Sequence, residues 1–238
     1  MAEKEKSVIW VTGASSGIGR EAALEFIKAG FRVAASARRK PLLEQINLNL
    51  PSECIPADIY ECDISSFKDV AGTVSRISES GEIDCLINNA GATVFKYAED
   101  TSAEETDRII STNLSGAIYA IKSVLPKMIE RRQGTIINVL SVAAEQVLKG
   151  SSSYAASKAG LLAYTNVLRE EVRKYNIKVI NILPGATITP MWPVEITAEK
   201  GDVMMHPGEI ARLMVSLYLQ NNRLITEHIR VKPIVGDL

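Results

Sequence analysis

Histidine is nearly absent from this chain of 238 residues: there are two, His206 before a proline and His228 in a C-terminal apolar stretch. Neither belongs to a Ser–His–acid pattern, so both are read as structural rather than catalytic. Cysteine is scarce as well. Cys54, Cys62 and Cys85 are odd in number and lack zinc-ligand spacing, so no metal site is expected. Reduced thiols in a cytoplasmic protein are the expectation. Charge of one sign is also missing: 27 Lys and Arg against 28 Asp and Glu leave a formal net charge of -1. That balance offers no electrostatic footprint for nucleic acid or for an anionic membrane. No apolar run approaches the length that crosses a bilayer, and "MAEKEKSVIW" is charged before it reads as a strand, which argues against a signal peptide. Linkers, repeats and low-complexity segments are lacking too, so residues 1–238 are expected to form one domain.

What is present is an alternation of periods. "SVIWVTG" is a short apolar run ending in glycine, suited to a strand buried on both faces, and "GIGREAALEFIKAG" then reads as a helix stopped by Gly30. "FRVAASAR", "IPADIYECD", "IDCLINNAG", "GTIINVLS", "IKVINILPG" and "HIRVK" read as further strands. Helical segments lie between them: from about Pro41, over "SSFKDVAGTVSRISESG", from Ala103 to Asn113, from Gly116 to Arg132, over "YAASKAGLLAYTNVLREEVRKY", and from Pro207. Such alternation predicts an α/β domain with a parallel sheet and helices on both faces. Ligands bind such sheets beyond the carboxyl ends of the strands, and the candidate motifs all fall there.

The first of these is "TGASSGIG", Thr12 to Gly19, between the first strand and the first helix. Gly13, Gly17 and Gly19 permit a tight turn, close approach of backbone to phosphate oxygens, and close helix–strand packing. Ser15, Ser16 and Ile18 complete the loop, and the helix N-terminus offers unpaired N–H groups to an anion. At the end of the second strand, where an NAD site has a carboxylate for the ribose hydroxyls, Ser36 and Ala37 are neutral and Arg38 and Arg39 follow. Two guanidinium groups suit a 2′-phosphate, so NADP(H) is expected over NAD(H), with Arg38 the stronger candidate. The alternative is a pair of solvated arginines at a helix start.

Taken in order, these motifs make the sequence resemble a short-chain dehydrogenase/reductase of ordinary length, over nearly the whole chain. "TGASSGIG" matches that family's glycine motif, and "CDI" supplies Asp63, which the resemblance places on the adenine amino group. "NNAG" (Asn88 to Gly91, with Asn89, Ala90 and Gly91 toward the cofactor), "NVLS", "YAASK" and "PGATIT" complete the set. Read without the family, Asp63 is a residue at a helix start and "NNAG" a plain turn. The resemblance implies a doubly wound, Rossmann-like parallel sheet of about seven strands in a three-layer sandwich.

In "SSSYAASKAG", Tyr154 and Lys158 are one helical turn apart, and Ser141 ends the preceding strand. A tyrosine and a lysine at this spacing occur by chance on many helices; Ser141 and the small residues around Tyr154 favour chemistry. Carbonyl reduction delivers hydride to carbon and a proton to oxygen, and a free phenol, with pKa about 10, is a reluctant relay. An ammonium about 4–6 Å away, at an effective dielectric near 20, favours the phenolate by roughly 3–4 kcal/mol, or about two to three pKa units. This predicts a Tyr154 pulled toward neutrality.

By resemblance, Tyr154 donates the proton, and Lys158 lowers its pKa and holds the nicotinamide ribose. Ser141 orients the carbonyl. Asn113 holds a water that links Lys158 to solvent, or else caps a helix end. Pro184 and Gly185 shape a turn, and Thr187 and Thr189 lie near the carboxamide and phosphates. The expected activity interconverts a carbonyl and a secondary alcohol on a small or medium-sized substrate, without nucleic-acid or membrane partners. The alternatives are a 3-oxoacyl-thioester reductase, disfavoured by the lack of a basic patch for a carrier protein, and a non-catalytic NADP(H) sensor or scaffold.

Two regions depart from the family pattern. The substrate-covering stretch at about 190–206 is a short loop, in which Trp192 packs on substrate or on its own loop. The C-terminus carries Glu227 and "VGDL" in place of the usual glycine and "DGG"-type close, which puts one subunit interface in doubt. Helices carrying Tyr119 and Tyr164 could still pair across a two-fold axis, so a homodimer or homotetramer is expected.

Overall fold

The computed structural model describes residues 7–48, 50–220 and 223–236. The first six residues and Asp237 and Leu238 of "VGDL" lie outside them. Seven parallel strands form one sheet in the order β3-β2-β1-β4-β5-β6-β7. They are β1 (Ser7–Thr12), β2 (Arg32–Ala37), β3 (Asp58–Glu61), β4 (Glu82–Asn88), β5 (Gly134–Val139), β6 (Ile177–Pro184) and β7 (His228–Val231). The winding reverses between β1 and β4, so a crevice opens at the carboxyl ends of those two strands.

The continuous apolar runs arise because the sheet is covered on both faces. Along β1, Ile9 and Val11 join one core with α1 (Gly17–Lys28), α2 (Lys40–Glu44) and α8 (Pro207–Tyr218). Val8 and Trp10 join the opposite core with α3 (Phe67–Ser80), α5 (Gly116–Arg131) and α6 (Ser152–Val172). This is a doubly wound α/β sandwich.

Helix boundaries follow local chemistry. The Ser66 hydroxyl accepts from the Asp69 N–H at 3.3 Å to start α3. Ser102 and Glu105 form a reciprocal capping box at the start of α4 (Ala103–Ile110). Where the sequence predicts a break between two helices, α4 instead runs into α5 through a π-helical turn, Ser111–Ser115. The residue at its centre, Asn113, is turned into the interior and is 1% exposed. The stretch expected to be a short loop holds a two-turn helix, α7 (Val194–Lys200). Its seven residues are too few for apolar periodicity to reveal.

Across the middle of the sheet, Asn88, Asn138 and Asn181 stand opposite one another on β4, β5 and β6. Asn88 Nδ2 donates to Asn138 Oδ1 at 3.0 Å, and Asn138 Nδ2 donates to Asn181 Oδ1 at 3.1 Å. Asn181 Nδ2 reaches Thr165 Oγ1 on α6 at 3.0 Å. This buried amide ladder fixes the register of three strand ends immediately before the site begins. Asn138→Ala would leave Asn181 Oδ1 without its donor and Asn88 Nδ2 with only the Ala117 carbonyl at 3.5 Å, so it should cost about 1–3 kcal/mol. Urea unfolding checks this: the midpoint falls with an unchanged slope, and an unshifted midpoint contradicts it.

Candidate active site

A cavity of about 840 Å³ lies at the carboxyl ends of the strands. Its wall is assembled from the loops after β1, β2, β3, β4, β5 and β6, with part of α6.

On one side the glycine loop is pressed against the turn after β4. A Cβ on Gly13, whose φ is +67°, would come within 2.6 Å of the Ala90 Cα. A Cβ on Gly19 would meet Asn89 Nδ2 at 2.2 Å and the Gly13 carbonyl oxygen at 2.5 Å. Thr12 Oγ1 stitches the two segments, accepting from the N–H groups of Asn89 and Ala90 at 3.1 and 3.2 Å. The sequence motif includes Thr12 but gives no signal of this work. Asn89 Nδ2 donates back to the carbonyls of Thr12 and Gly13.

The result is a backbone-lined hollow at the start of α1. The first turn of α1 carries no acidic residue, and Ser16 at its N-cap makes no side-chain capping bond. Ser15, Gly17 and Ile18 complete this part of the wall. Gly19 itself is not on the wall; it permits the packing behind it.

At the far end, Arg39 Nη2 donates to Ser15 Oγ at 3.2 Å, so this exposed guanidinium is already oriented on the glycine loop. Arg38 also lines the wall, and its side chain has no hydrogen-bond or ion-pair partner among the described residues. One carboxylate oxygen of Asp63 accepts from the N–H and hydroxyl of Ser65 at 3.0 and 2.7 Å. Its other oxygen carries no bond from these groups. A hollow lined by backbone, a helix start without acidic residues, two guanidinium groups and a carboxylate with one oxygen left over fit a dinucleotide.

Ser141, Tyr154 and Lys158 come together on the other side. The Ser141 hydroxyl accepts from the Ala143 N–H at 3.1 Å and lies near enough to the Tyr154 phenol to act on its pKa. Lys158 is 4% exposed, and its Nζ donates to the Val139 carbonyl at 2.8 Å. It lies 5.7 Å from the centre of the Tyr154 ring.

Burial pushes the Lys158 pKa down to about 8, while burial raises that of Tyr154 and the Ser141 hydroxyl lowers it in part. This corrects the expectation of a phenol pulled toward neutrality. Desolvation acts on both groups, and the ammonium bonds to a backbone carbonyl rather than to the phenolic oxygen.

Asn113 lies off the wall. Its Oδ1 accepts from the Ala92 N–H at 2.7 Å, and its Nδ2 donates to the Ala92 carbonyl and to Ser157 Oγ, each at 2.9 Å. Its amide protons are therefore already committed.

The segment after β6 closes the cavity. Pro184, Gly185, Thr187 and Thr189 all line it, and the Gly185 N–H bonds the Val231 carbonyl at 2.8 Å. Thr187 Oγ1 donates to the Gly185 carbonyl at 3.1 Å, and Thr189 covers Gly17. Trp192 stacks not on its own loop but on Phe95 of the loop after β4, with ring centres 5.0 Å apart and planes at 13°. Phe95, Arg108, Val139 and Val147–Lys149 are wall residues that sequence reasoning missed. Val139 acts through its carbonyl, which carries no side-chain signal.

The two histidines stay outside the cavity wall: the His206 N–H bonds Glu209 at 2.7 Å, and His228 Nε2 lies 3.2 Å from Glu145. Among the described residues no cluster of potential metal ligands occurs, and no helix is long and apolar enough to cross a membrane.

A family model described as short chain dehydrogenase matches residues 7–200. The chain belongs to the short-chain dehydrogenase/reductase family, whose members are oxidoreductases. Within that family it is 35% identical to a sepiapterin reductase of Chlorobaculum tepidum, over 98% of each chain. Among solved short-chain dehydrogenase/reductase structures it is similar to a metagenomic short-chain oxidoreductase in complex with NADP (27% identity, 97% and 98% of the two chains, TM-score 0.85). It is also similar to a variant of actinorhodin polyketide ketoreductase with NADPH (27% identity, 100% of both chains, TM-score 0.89).

The buried lysine has a consequence for stability. Its pKa in the folded protein, about 8, lies below the ordinary 10.5, so between these values the unfolded chain binds more protons and stability rises with pH. Relative to Lys158→Met, the wild type should therefore gain about 2–3 kcal/mol between pH 8 and pH 10.5. Urea unfolding of both proteins across that range tests this, and a constant difference contradicts it.

Proposed function

We propose that the protein is an NADP(H)-dependent oxidoreductase that interconverts a carbonyl and a secondary alcohol on a small or medium-sized substrate. The observation that carries this reading is the meeting of Ser141, Tyr154 and Lys158 on one wall of a cavity whose opposite wall is the glycine loop with Arg39. NADPH supplies the hydride when bound.

The chain's own residues do the rest. The N–H groups at the start of α1 hold the pyrophosphate, Arg38 and Arg39 hold the 2′-phosphate, and the second oxygen of Asp63 accepts from the adenine amino group. The Ser141 hydroxyl accepts from the Ala143 N–H, and its proton turns from the Tyr154 oxygen to a substrate carbonyl when one is bound. Tyr154, with its pKa raised, keeps its proton at neutral pH and donates it to the reduced oxygen. Oxidation needs the phenolate, so it is favoured as pH rises. Lys158 supplies a cation that favours the phenolate left after transfer. The amide protons of Asn113 are committed to the Ala92 carbonyl and the Ser157 hydroxyl, so this side chain ties the π-helical turn to α6 beside Lys158.

The names of the relatives put sepiapterin and polyketide-like ketones into the substrate panel. Self-association through the outer faces of α5 and α6 is supported by Phe67, 52% exposed and edge-on to Tyr119, and by Val167, 61% exposed. The free thiols at Cys54, Cys62 and Cys85 suit the cytoplasm.

Tyr154→Phe should lower kcat by about 10²–10⁴-fold with unchanged NADPH affinity, measured by NADPH oxidation and by fluorescence titration. Near-normal turnover overturns the assignment. Arg38→Asp should shift the ratio of kcat/KM for NADPH over NADH toward NADH, and an unchanged ratio refutes the role given to the 2′-phosphate.

A further inference from the structure

Three loops form the mouth of the cavity on the side of Ser141 and Tyr154, and they expose large apolar side chains around it. Phe95 is 45% exposed, Val147 97%, Leu148 43% and Met191 38%. Single exposed apolar residues are ordinary, but several from different loops around one opening mark a ligand surface. The stacked rings of Phe95 and Trp192 give this rim a flat aromatic wall. The loops also brace one another: the Lys96 N–H bonds the Gly150 carbonyl at 2.9 Å.

The charge on the wall is one-sided. Every charged wall residue except Asp63 is a cation, and Asp63 is engaged by Ser65. Arg38 and Arg39 stand at the end assigned to the nucleotide. Lys149 does not; it belongs to the same β5–α6 connection as Ser141.

Of the other nearby charges, Lys96 and Glu145 are paired, while the wall residue Arg108 on α4 makes no ion pair among the described residues. Lys96 pairs with Glu105 at 2.6 Å, and Glu145 pairs with His228 at 3.2 Å and with Arg230. Lys149 has no hydrogen-bond or ion-pair partner among the described residues. A cationic substrate would meet positive charge with no carboxylate from these loops to receive it.

We infer that the substrate is an aryl-bearing ketone or aldehyde with a carboxylate remote from the carbonyl: its flat body lies along Phe95 and Trp192, and Lys149 receives the carboxylate. This deepens the function proposed above and rests on it. The carbonyl faces Ser141 and Tyr154, and the anion stays at the solvent-open rim, where a charge keeps much of its hydration. Discrimination is therefore moderate, about fivefold for one exposed pair, and sensitive to salt.

The probes are 4-oxo-4-phenylbutanoate and its methyl ester, which differ only in charge and ester methyl. Their binding to the NADP⁺-loaded protein is read by quenching of tryptophan fluorescence. The chain has two tryptophans, and Trp10 is fully buried, so the signal reports Trp192. The acid should bind about fivefold tighter than the ester at low salt. That ratio should fall toward one in high salt and in Lys149→Gln, and kcat/KM should follow the same ratio. An ester that binds as tightly as the acid, or a ratio that Lys149→Gln leaves intact, overturns the inference. Binding is read without turnover, so its outcome is independent of the reaction: failure of NADPH oxidation with both probes and with 2,3-butanedione would strike the proposed function instead.

Discussion

The Lys158 ammonium, 4% exposed, donates to the Val139 carbonyl at 2.8 Å, and burial drives its pKa down to about 8. A cation held this far from water is costly, so the surrounding elements must fix both the charge and its acceptor. The acceptor lies one residue beyond Asn138, the middle member of the amide ladder that sets the register of β4, β5 and β6. Lys158 lies one residue beyond Ser157, whose hydroxyl accepts from Asn113 in the π-helical turn. Donor and acceptor are thus each anchored through the neighbouring residue, by groups buried on the same side of the sheet.

From that anchor the rest of the site follows. Tyr154, one turn earlier on α6, reaches Ser141, which extends the loop after β5. The opposite wall needs no charge to hold its shape. Gly13 and Gly19 let the glycine loop pack on Asn89 and Ala90, and the Thr12 hydroxyl and Asn89 amide bond the main chain of the two segments, so α1 presents its first N–H groups to the cavity. Preorganisation on this side is steric, while on the other it is electrostatic. The two walls are therefore held by different interactions.

Much of this was legible in the sequence because it is written in local patterns. Period switches located every strand and nearly every helix, and buried alternation on β1 explains why its run is apolar throughout. The glycine loop, Arg38, Arg39 and the Ser141–Tyr154–Lys158 set were found through motifs at strand ends. Three features were not legible, each for a physical reason. The π-helical turn differs from an α-helix by one residue of hydrogen-bond register, which composition does not encode. The direction of the Tyr154 shift depends on burial and on where the ammonium bonds, and spacing fixes neither. The Phe95–Trp192 stack joins residues 97 positions apart (192 minus 95), with no periodicity to link them.

Lys158 is a desolvated cation whose titration lies within reach of neutral pH. A ¹³C NMR titration of lysine Cε resonances, with Lys158 assigned by its loss in Lys158→Met, measures this directly. The expected midpoint is about 8 in the free protein, against 10.5 for an ordinary lysine. A Lys158 resonance that titrates with the surface lysines would contradict it.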